Sequence, residues 1–234
     1  MSVGQDYKLI GNGIYTVPEA ARLTQVSKWR IRRWLRGYYF RTRTEEIHIS
    51  APVVHPQMAA IDNAIALSFL DLVEVKLVDR LLERGVTWKT LREAVKRGGA
   101  LLGHSHPFST GRFWTDGRTV LLELAEDEND SALLDVMQNQ FIFKRVLAPF
   151  LAQLDFEQDG AVRWWPLGKR RRVVIDPARS FGQPIVAREG VPTVILAKAV
   201  RVQNSLDLVA KWFQVSKPSL RDAVDFEQRL AAAA

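Results

Sequence analysis

Apolar positions recur at helical spacing near the start of the chain. Residues 15–37 read YTVPEAARLTQVSKWRIRRWLRG, in which Ser27 is a good N-cap for a helix. Ile31, Trp34 and Leu35 then share one helical face and would pack on the preceding helix. The pattern predicts a helix, a tight turn and a second helix.

The pattern changes to alternation at residues 38–49, YYFRTRTEEIHI, which predicts a short β-hairpin or wing. Two more helices are expected after it. One is long and amphipathic and covers residues 61–84, and the other is capped by Thr87 and ended by Gly98 and Gly99.

The middle of the chain carries signals for both strands and helices. Asp116–Gly117 is a strong hairpin turn signal, with Phe113–Trp114 in one expected strand and Val120–Leu122 in the other. A helix over residues 131–154 and a strand over residues 163–165 should follow.

A second helix-turn-helix outline lies near the C-terminus, with helices over residues 206–213 and 217–230 and Ser216 as the cap between them. The predicted fold class is mainly α with small β elements (α+β). Three parts are expected: a winged helix-turn-helix over residues 1–100, a middle α+β region of hairpin and helix over 101–168, and a C-terminal helical domain over 169–234.

Composition narrows the function classes. The formal net charge is +7, which favours a polyanionic partner such as nucleic acid. The absence of cysteine excludes disulfides, thiolate metal sites and cysteine nucleophiles. No apolar run is long enough to cross a bilayer and the first residues are polar, so a cytoplasmic protein is expected.

The residues left outward on the second N-terminal helix and on the wing are cationic. No acidic residue occurs between Glu19 and Glu45. We expect Arg30 and Arg33 to contact base edges or phosphates and to contribute little to stability. The alternative is an ordinary solvated basic helix. The predicted DNA contacts are Lys28, Trp29, Arg30, Arg32, Arg33, Arg36, Arg41 and Arg43.

The last helix of the second outline has mixed charge, because Asp222, Asp225 and Glu227 lie among its basic residues. Its apolar residues therefore favour a packing or dimer surface over a DNA-reading face. The predicted protein contacts are Trp212, Phe213, Leu220, Val224 and Phe226. A secondary DNA contact through Lys211, Lys217 and Arg221 remains open.

Other candidate chemistry is sparse. His104 and His106 form the only close histidine pair, and no third ligand is evident, so no metal site is predicted. Asp71, Glu74 and Asp79 alternate with basic residues, as ordinary surface ion pairs do. Nucleophile, phosphate-binding and dinucleotide motifs are absent, so we predict no catalytic residues, no cofactor and no enzyme activity.

Two stretches of this sequence resemble a known regulator fold. YTVPEAARLTQVSKWRIRRWLRGYYF and VEVKLVDRLLERGVTWKTLREAVKRG are similar to the MerR-type winged helix, in which a second helix pair supports the DNA-reading pair. The resemblance covers roughly the first hundred residues, and it implies a DNA-binding function for this part of the chain.

The C-terminal part resembles antitoxins of the VapB type. The likeness rests on VVIDPARSFGQPIVAREGVPT and VAKWFQVSKPSLRDAVDFEQRL, with Asp176–Pro177, Gly182, Pro184 and Val191–Pro192–Thr193 as the matching positions. The segments SFLDLVE, GHSHPFST and TDGR are similar to the middle region of longer antitoxins of this architecture.

This resemblance implies the antitoxin of a type II toxin-antitoxin pair. Such a protein binds and neutralises a PIN-like ribonuclease toxin, and it represses its own operon as a homodimer on operator DNA. The C-terminal apolar residues then become candidates for dimer or toxin contacts, and the middle region is another candidate toxin surface. The alternatives are a MerR-like transcriptional regulator without a toxin and a protein-interaction scaffold.

Overall fold

The computed structural model of the protein describes residues 11–41, 45–61, 64–115, 129, 131, 147–157 and 160–232. Helices and small antiparallel sheets give a mixed α+β fold. The helices are α1 Val17–Thr24, α2 Lys28–Arg36, α3 Phe69–Leu82, α4 Trp88–Leu102, α5 Gly111–Thr115, α6 Ala148–Leu151, α7 Thr193–Gln203, α8 Leu206–Trp212 and α9 Lys217–Ala232. Within these described ranges, every helix is too short or too polar to span a membrane.

The strands form three antiparallel sheets. They are β1 Tyr15–Thr16, β2 Tyr38–Arg41, β3 Ile47–Ser50, β4 Ala66–Leu67, β5 Leu154–Glu157, β6 Gly160–Trp164, β7 Val173–Ile175 and β8 Pro184–Val186. β1 pairs with β4, β2 pairs with β3, and β5 to β8 form a four-stranded sheet in chain order. The sequence predicted the β2–β3 hairpin and part of β6, but it gave no signal for the whole four-stranded sheet.

One large apolar core joins α1 to α4 with α6 and the β5–β6 hairpin, and its members run from Tyr15 to Ile175. A smaller core holds α7, α8 and α9 together. The large core contains residues from both sides of residue 100 and of residue 168. The domain boundaries expected near these two positions stay predictions.

The long helix expected over residues 61–84 is shorter than predicted. Ser68 accepts a hydrogen bond from the backbone N–H of Asp71, and the Asp71 carboxylate accepts from the backbone N–H of Ser68. This reciprocal capping box starts α3 at Phe69. The residues just before it, Ala66 and Leu67, pair with β1 instead.

The helix α4 does not end at Gly98 and Gly99 as expected but continues to Leu102 and stops at Gly103, whose φ is 64°. A Cβ atom on Gly98 would lie 2.4 Å from a ring atom of Phe113. Glycine is therefore needed at this position for close packing inside the helix, and it does not mark the helix end.

The predicted middle elements are wrong where the structure describes them. Phe113 belongs to the helix α5 and not to a hairpin strand, while Asp116–Gly117 and Val120–Leu122 lie outside the described residues. Leu154 begins the strand β5 and does not end a helix. Most of the expected helix over residues 131–154 also lies outside the described residues.

The C-terminal helices pack directly on the N-terminal ones. The hydroxyl of Tyr15 donates to the carbonyl of Gly182 over 2.8 Å. Arg22 of α1 forms an ion pair with Glu227 of α9, and Leu23 packs against the apolar cluster that contains Phe226. The two helix-turn-helix units are thus joined by packed contacts between α1 and α9.

Three ionisable side chains are buried together, two of them on α3 and the third on the segment after α4. Asp71 is 0% exposed, Glu74 is 1% exposed and His106 is 0% exposed. The Nε2 atom of His106 lies 2.7 Å from Asp71 Oδ1, and the backbone N–H of Phe108 donates to Glu74. The expected surface ion pairs of this helix were wrong, because Asp71, Glu74 and also Asp79 are covered by the rest of the fold.

Burial raises the pKa of Glu74 to about 8. Burial alone would lower the pKa of His106, but the hydrogen bond to Asp71 and the nearby charges of Glu74 and Asp71 raise it overall. Both groups therefore hold a proton more tightly in the folded chain than in the unfolded chain. Their contribution to stability is present at low pH and is lost as the pH rises through the folded pKa values.

We therefore expect the melting temperature to fall between about pH 5 and pH 8.5, because folding must keep a proton on Glu74 that the unfolded chain releases. Glu74→Gln should be more stable than the wild type at the upper end, by about 2–4 kcal/mol, since it retains the acceptor without the charge. Thermal unfolding followed by circular dichroism measures both effects. The control is Glu46→Gln on the exposed wing, and a Glu74→Gln variant with the wild-type pH profile would contradict the prediction.

Candidate nucleic-acid interface

The helices α1 and α2 form a helix-turn-helix whose turn and cap are set locally. The chain leaves α1 through Gln25 in the left-handed conformation, with φ 62°. Ser27 then accepts a hydrogen bond from the first turn of α2. Ile31, Trp34 and Leu35 are buried as the sequence predicts. The opposite face of α2 is therefore the face turned to solvent.

Arg30 is held by its own chain. Its Nη1 atom lies 2.8 Å from Oδ1 of Asp79 on α3, and the Asp79 side chain is only 4% exposed. The Arg30 guanidinium also lies 4.8 Å from the ring centre of Trp34. Burial raises the pKa of Asp79, and the charge of Arg30 opposes that rise. This geometry does not fit the expectation that Arg30 points into a DNA groove and contributes little to stability.

Arg33 is stacked between two aromatic rings. Its guanidinium carbon lies 4.2 Å from the ring centre of Trp29 and 3.4 Å from that of Tyr38. Tyr38 belongs to the wing, and a hydrogen bond with Ser50 is the largest influence that lowers its pKa. The stacking fixes the direction of the Arg33 guanidinium, which stays partly exposed and could contact an anion.

The cations that face solvent form one line along α2. Lys28, Arg32 and Arg36 are exposed and follow each other at intervals of four residues, which places them on one face of the helix. Lys28 and Arg32 have no ion pair with any residue that the structure describes. We call Lys28, Arg32 and Arg36 the α2 cation stripe. Trp29, beside it, is 61% exposed.

The wing exposes apolar side chains next to this stripe. Tyr39 lies opposite Ile49 in the β2–β3 ladder, and the two are 74% and 70% exposed. Arg41 is exposed on β2 and lies opposite Ile47. Arg92 of α4 anchors the base of the wing by donating to the carbonyl of Ala51 over 3.1 Å. Arg43, the remaining predicted contact, lies outside the described residues.

The second helix-turn-helix consists of α8 and α9, with α7 packed across them. Ser216 accepts from the backbone N–H of Ser219, as its predicted role as a cap requires. Leu220 and Phe226 are 0% and 3% exposed inside the protein's own core, so they are not available as dimer or toxin contacts. Their prediction as partner contacts was wrong because their faces pack inward.

The other predicted protein contacts keep some access to solvent. Trp212 is 57% exposed, whereas Phe213 and Val224 are partly buried. Lys211, Lys217 and Arg221, the predicted secondary DNA contacts, are all exposed.

The acidic residues of α9 are turned toward other parts of the chain. Asp222 and Asp225 both accept hydrogen bonds from Arg171, each over 2.7 Å. Glu227 is paired with Arg22 of α1. These carboxylates are therefore neutralised locally, and the mixed charge read from the sequence does not describe the outer surface of α9.

The two close histidines are also engaged within the fold. The ring of His104 accepts the backbone N–H of His106 over 3.0 Å, and the ring of His106 binds Asp71. In the part of the chain that the structure describes, no group of three or more histidine, cysteine or acidic side chains could hold a metal ion.

Comparison with known proteins finds relatives that match almost the whole chain. It is 24% identical over 226 residues to a Mycobacterium tuberculosis protein named as a candidate antitoxin, VapB45, which covers 91% of this chain and 92% of that protein. The crystal structure of Rv2018 from Mycobacterium tuberculosis superposes with a TM-score of 0.70 at 23% identity, over 90% of this chain and 97% of that chain. No protein-family profile matches the chain.

These similarities support the fold and the resemblance to a VapB-type antitoxin that the sequence suggested. The assignment of residues 1–100 to a MerR-like domain stays a prediction. Asp79 was not predicted from the sequence as the partner of Arg30. A signal existed, since Asp79 follows Leu72 and Val75 on the apolar side of α3, where an acid needs a counter-charge.

We expect Arg30→Ala to lower the free energy of unfolding by about 1–3 kcal/mol, because it leaves the buried Asp79 carboxylate without its cation. Arg30→Ala combined with Asp79→Asn should recover most of this loss. Urea unfolding at neutral pH measures both changes. Arg32→Ala, an exposed arginine on the same helix, is the control; equal stability of Arg30→Ala and Arg32→Ala would show that the pair has no structural role.

Proposed function

We propose that this protein is an antitoxin of a type II toxin-antitoxin pair and that it represses its own operon by binding operator DNA. The DNA-binding part of the proposal rests on the α2 cation stripe. A helix that follows a tight turn and presents three outward cations matches the way helix-turn-helix proteins enter the major groove. The exposed wing would lie against the adjacent backbone.

The cationic side chains of α2 would then have different roles, according to how firmly the rest of the chain holds each of them. Lys28 and Arg32 would supply the long-range attraction and the phosphate contacts, together with Arg41 on the wing, and the exposed Arg36 would extend the stripe. Arg33 would bind with less entropy loss, because Trp29 and Tyr38 already hold its guanidinium in place. Arg30 would act indirectly by fixing α2 on α3.

The antitoxin part of the proposal is supported by the match to the candidate antitoxin VapB45 along nearly the full length of both chains. The partner would be a PIN-like ribonuclease, and the protein itself would be a cytoplasmic binding protein without catalytic activity. A homodimer is proposed because operators read by helix-turn-helix proteins usually have twofold symmetry.

A MerR-like regulator that responds to a small molecule is the second candidate. A cavity of about 230 Å³ lies between α2, the wing and α4, and its walls include Trp34, Trp88, Arg33 and Arg92. Aromatic rings and guanidinium groups would suit a planar anion. A ligand there would contact Arg33 and so alter the DNA-reading face.

The DNA proposal is tested by Lys28→Ala combined with Arg32→Ala. With duplex DNA from upstream of the coding sequence, the slope of log affinity against log salt should decrease by about 2, because two phosphate contacts are lost. Fluorescence anisotropy over a salt series gives this slope. Lys198→Ala with Arg201→Ala removes the same charge from α7 and should leave the slope near the wild-type value; equal slopes for all three proteins would refute DNA binding through α2.

The antitoxin proposal is tested by co-expression with the protein encoded by the adjacent reading frame. That protein alone should stop growth and degrade RNA, and growth should return when this chain is expressed with it. The Lys28→Ala, Arg32→Ala variant should still protect, because toxin binding uses another surface. A harmless neighbour, or a toxic one that this chain neither binds nor inhibits, would contradict the proposal.

A further inference from the structure

A second group of exposed cations surrounds the start of α9. Lys217 and Arg221 are one turn apart on the same face of this helix. The Nζ atom of Lys217 lies 2.7 Å from Asp207 at the start of α8. Lys211 lies one turn after Asp207 on the same face of α8. These contacts bring Lys211, Lys217 and Arg221 onto one surface.

Arg188 extends this surface on the other side of the helix start. The neighbouring residue, Glu189, accepts hydrogen bonds from the backbone N–H of Ser216 over 3.0 Å and from the hydroxyl of Ser219. The turn that carries Arg188 is thereby fixed beside the first turn of α9. We call Arg188, Lys211, Lys217 and Arg221 the α9 cation patch.

The α9 cation patch carries unbalanced positive charge. Arg188, Lys211 and Arg221 are exposed and have no ion-pair partner among the residues that the structure describes. The acids near the patch are Asp207, which pairs with Lys217, and Glu189, which caps α9. The acids of α9 itself point away, toward Arg171 and Arg22. The patch therefore attracts polyanions more strongly than the sequence suggests.

The location of the patch matters as much as its charge. α7 packs across α9, and α8 with its turn precedes α9. At the start of α9, Lys217, Pro218 and Arg221 are exposed, while Ser219 and Leu220 face the core. Helix-turn-helix proteins place the same part of their second helix against DNA. Trp212, 57% exposed at the end of α8, adds an aromatic side chain to this surface.

We infer that the α9 cation patch is a second contact for the phosphate backbone of duplex DNA, so that one chain holds DNA at two places. The inference rests on the proposed DNA-binding function of α2. Arg22 of α1 and Glu227 of α9 are in direct contact, so the helices that carry the two surfaces are packed against each other. Binding at one surface then raises the effective concentration of DNA at the other.

The test compares four full-length proteins on the same upstream duplex: the wild type, Lys211→Ala with Arg221→Ala, Lys28→Ala with Arg32→Ala, and Lys198→Ala with Arg201→Ala. The three variants lose equal charge, and each altered side chain is exposed. The α9 variant should reduce the salt slope by about 2, and its hydroxyl-radical footprint should lose one protected region while another remains. The α7 variant should keep both the slope and the footprint.

The outcomes separate this inference from the proposed function. If the α9 variant matches the α7 variant while the α2 variant loses binding, the second contact is wrong and DNA binding through α2 stands. If only the α9 variant loses binding, the role proposed for α2 is wrong and so is the inference of two contacts, because the α9 cation patch would then be the one surface of these that binds DNA. If no variant differs from the wild type, both are overturned. Unchanged melting temperatures establish that each variant is folded.

Discussion

The orientation of α2 depends on the ion pair between Arg30 and Asp79. A carboxylate on the covered side of α3 is costly to bury unless a cation accompanies it, and Arg30 is the cation that reaches it. The pair therefore ties α2 to α3 through a buried carboxylate that needs a cation, although Arg30 itself is partly exposed, while Ile31 and Leu35 supply the apolar contact. The outward direction of Lys28 and its neighbours on the stripe follows from this attachment.

This attachment explains why arginines on the same helix have different tasks. Arg30 turns inward and is neutralised, whereas Arg33 is held between Trp29 and Tyr38 without losing its charge. A stacked guanidinium has already lost most of its rotational freedom, so an anion that binds it costs less entropy. Arg32 is exposed and has no ion pair among the residues that the structure describes. Charge counting alone would treat these three residues as equivalent.

The features that the sequence predicted correctly are those set by short-range chemistry. The caps Ser27 and Thr87 start their helices as expected, because an N-cap needs only a side-chain oxygen and the next turn. The errors arise where a distant residue decides. Gly98 stays inside α4 because Phe113 packs against it, and Arg30 has a partner, Asp79, on a helix beyond the wing. The contact of Gly98 with Phe113 has no local signature. The apolar setting of Asp79 shows that it needs a cation but not which one, so the end of α4 and the set of unpaired cations could be identified only from the structure.

The same reasoning changes the meaning of the net charge. A charge of +7 is spread over the whole chain, but electrostatic attraction to a polyanion depends on which cations lack a nearby acid. Arg171 is paired with both Asp222 and Asp225, so the basic run KRRR at residues 169–172 attracts polyanions less than its composition suggests. The helix α9, whose charge is mixed, contributes more, because its carboxylates are paired within the chain and Arg221 is left outward. Pairing, and not composition, determines which surfaces of this protein carry unbalanced positive charge.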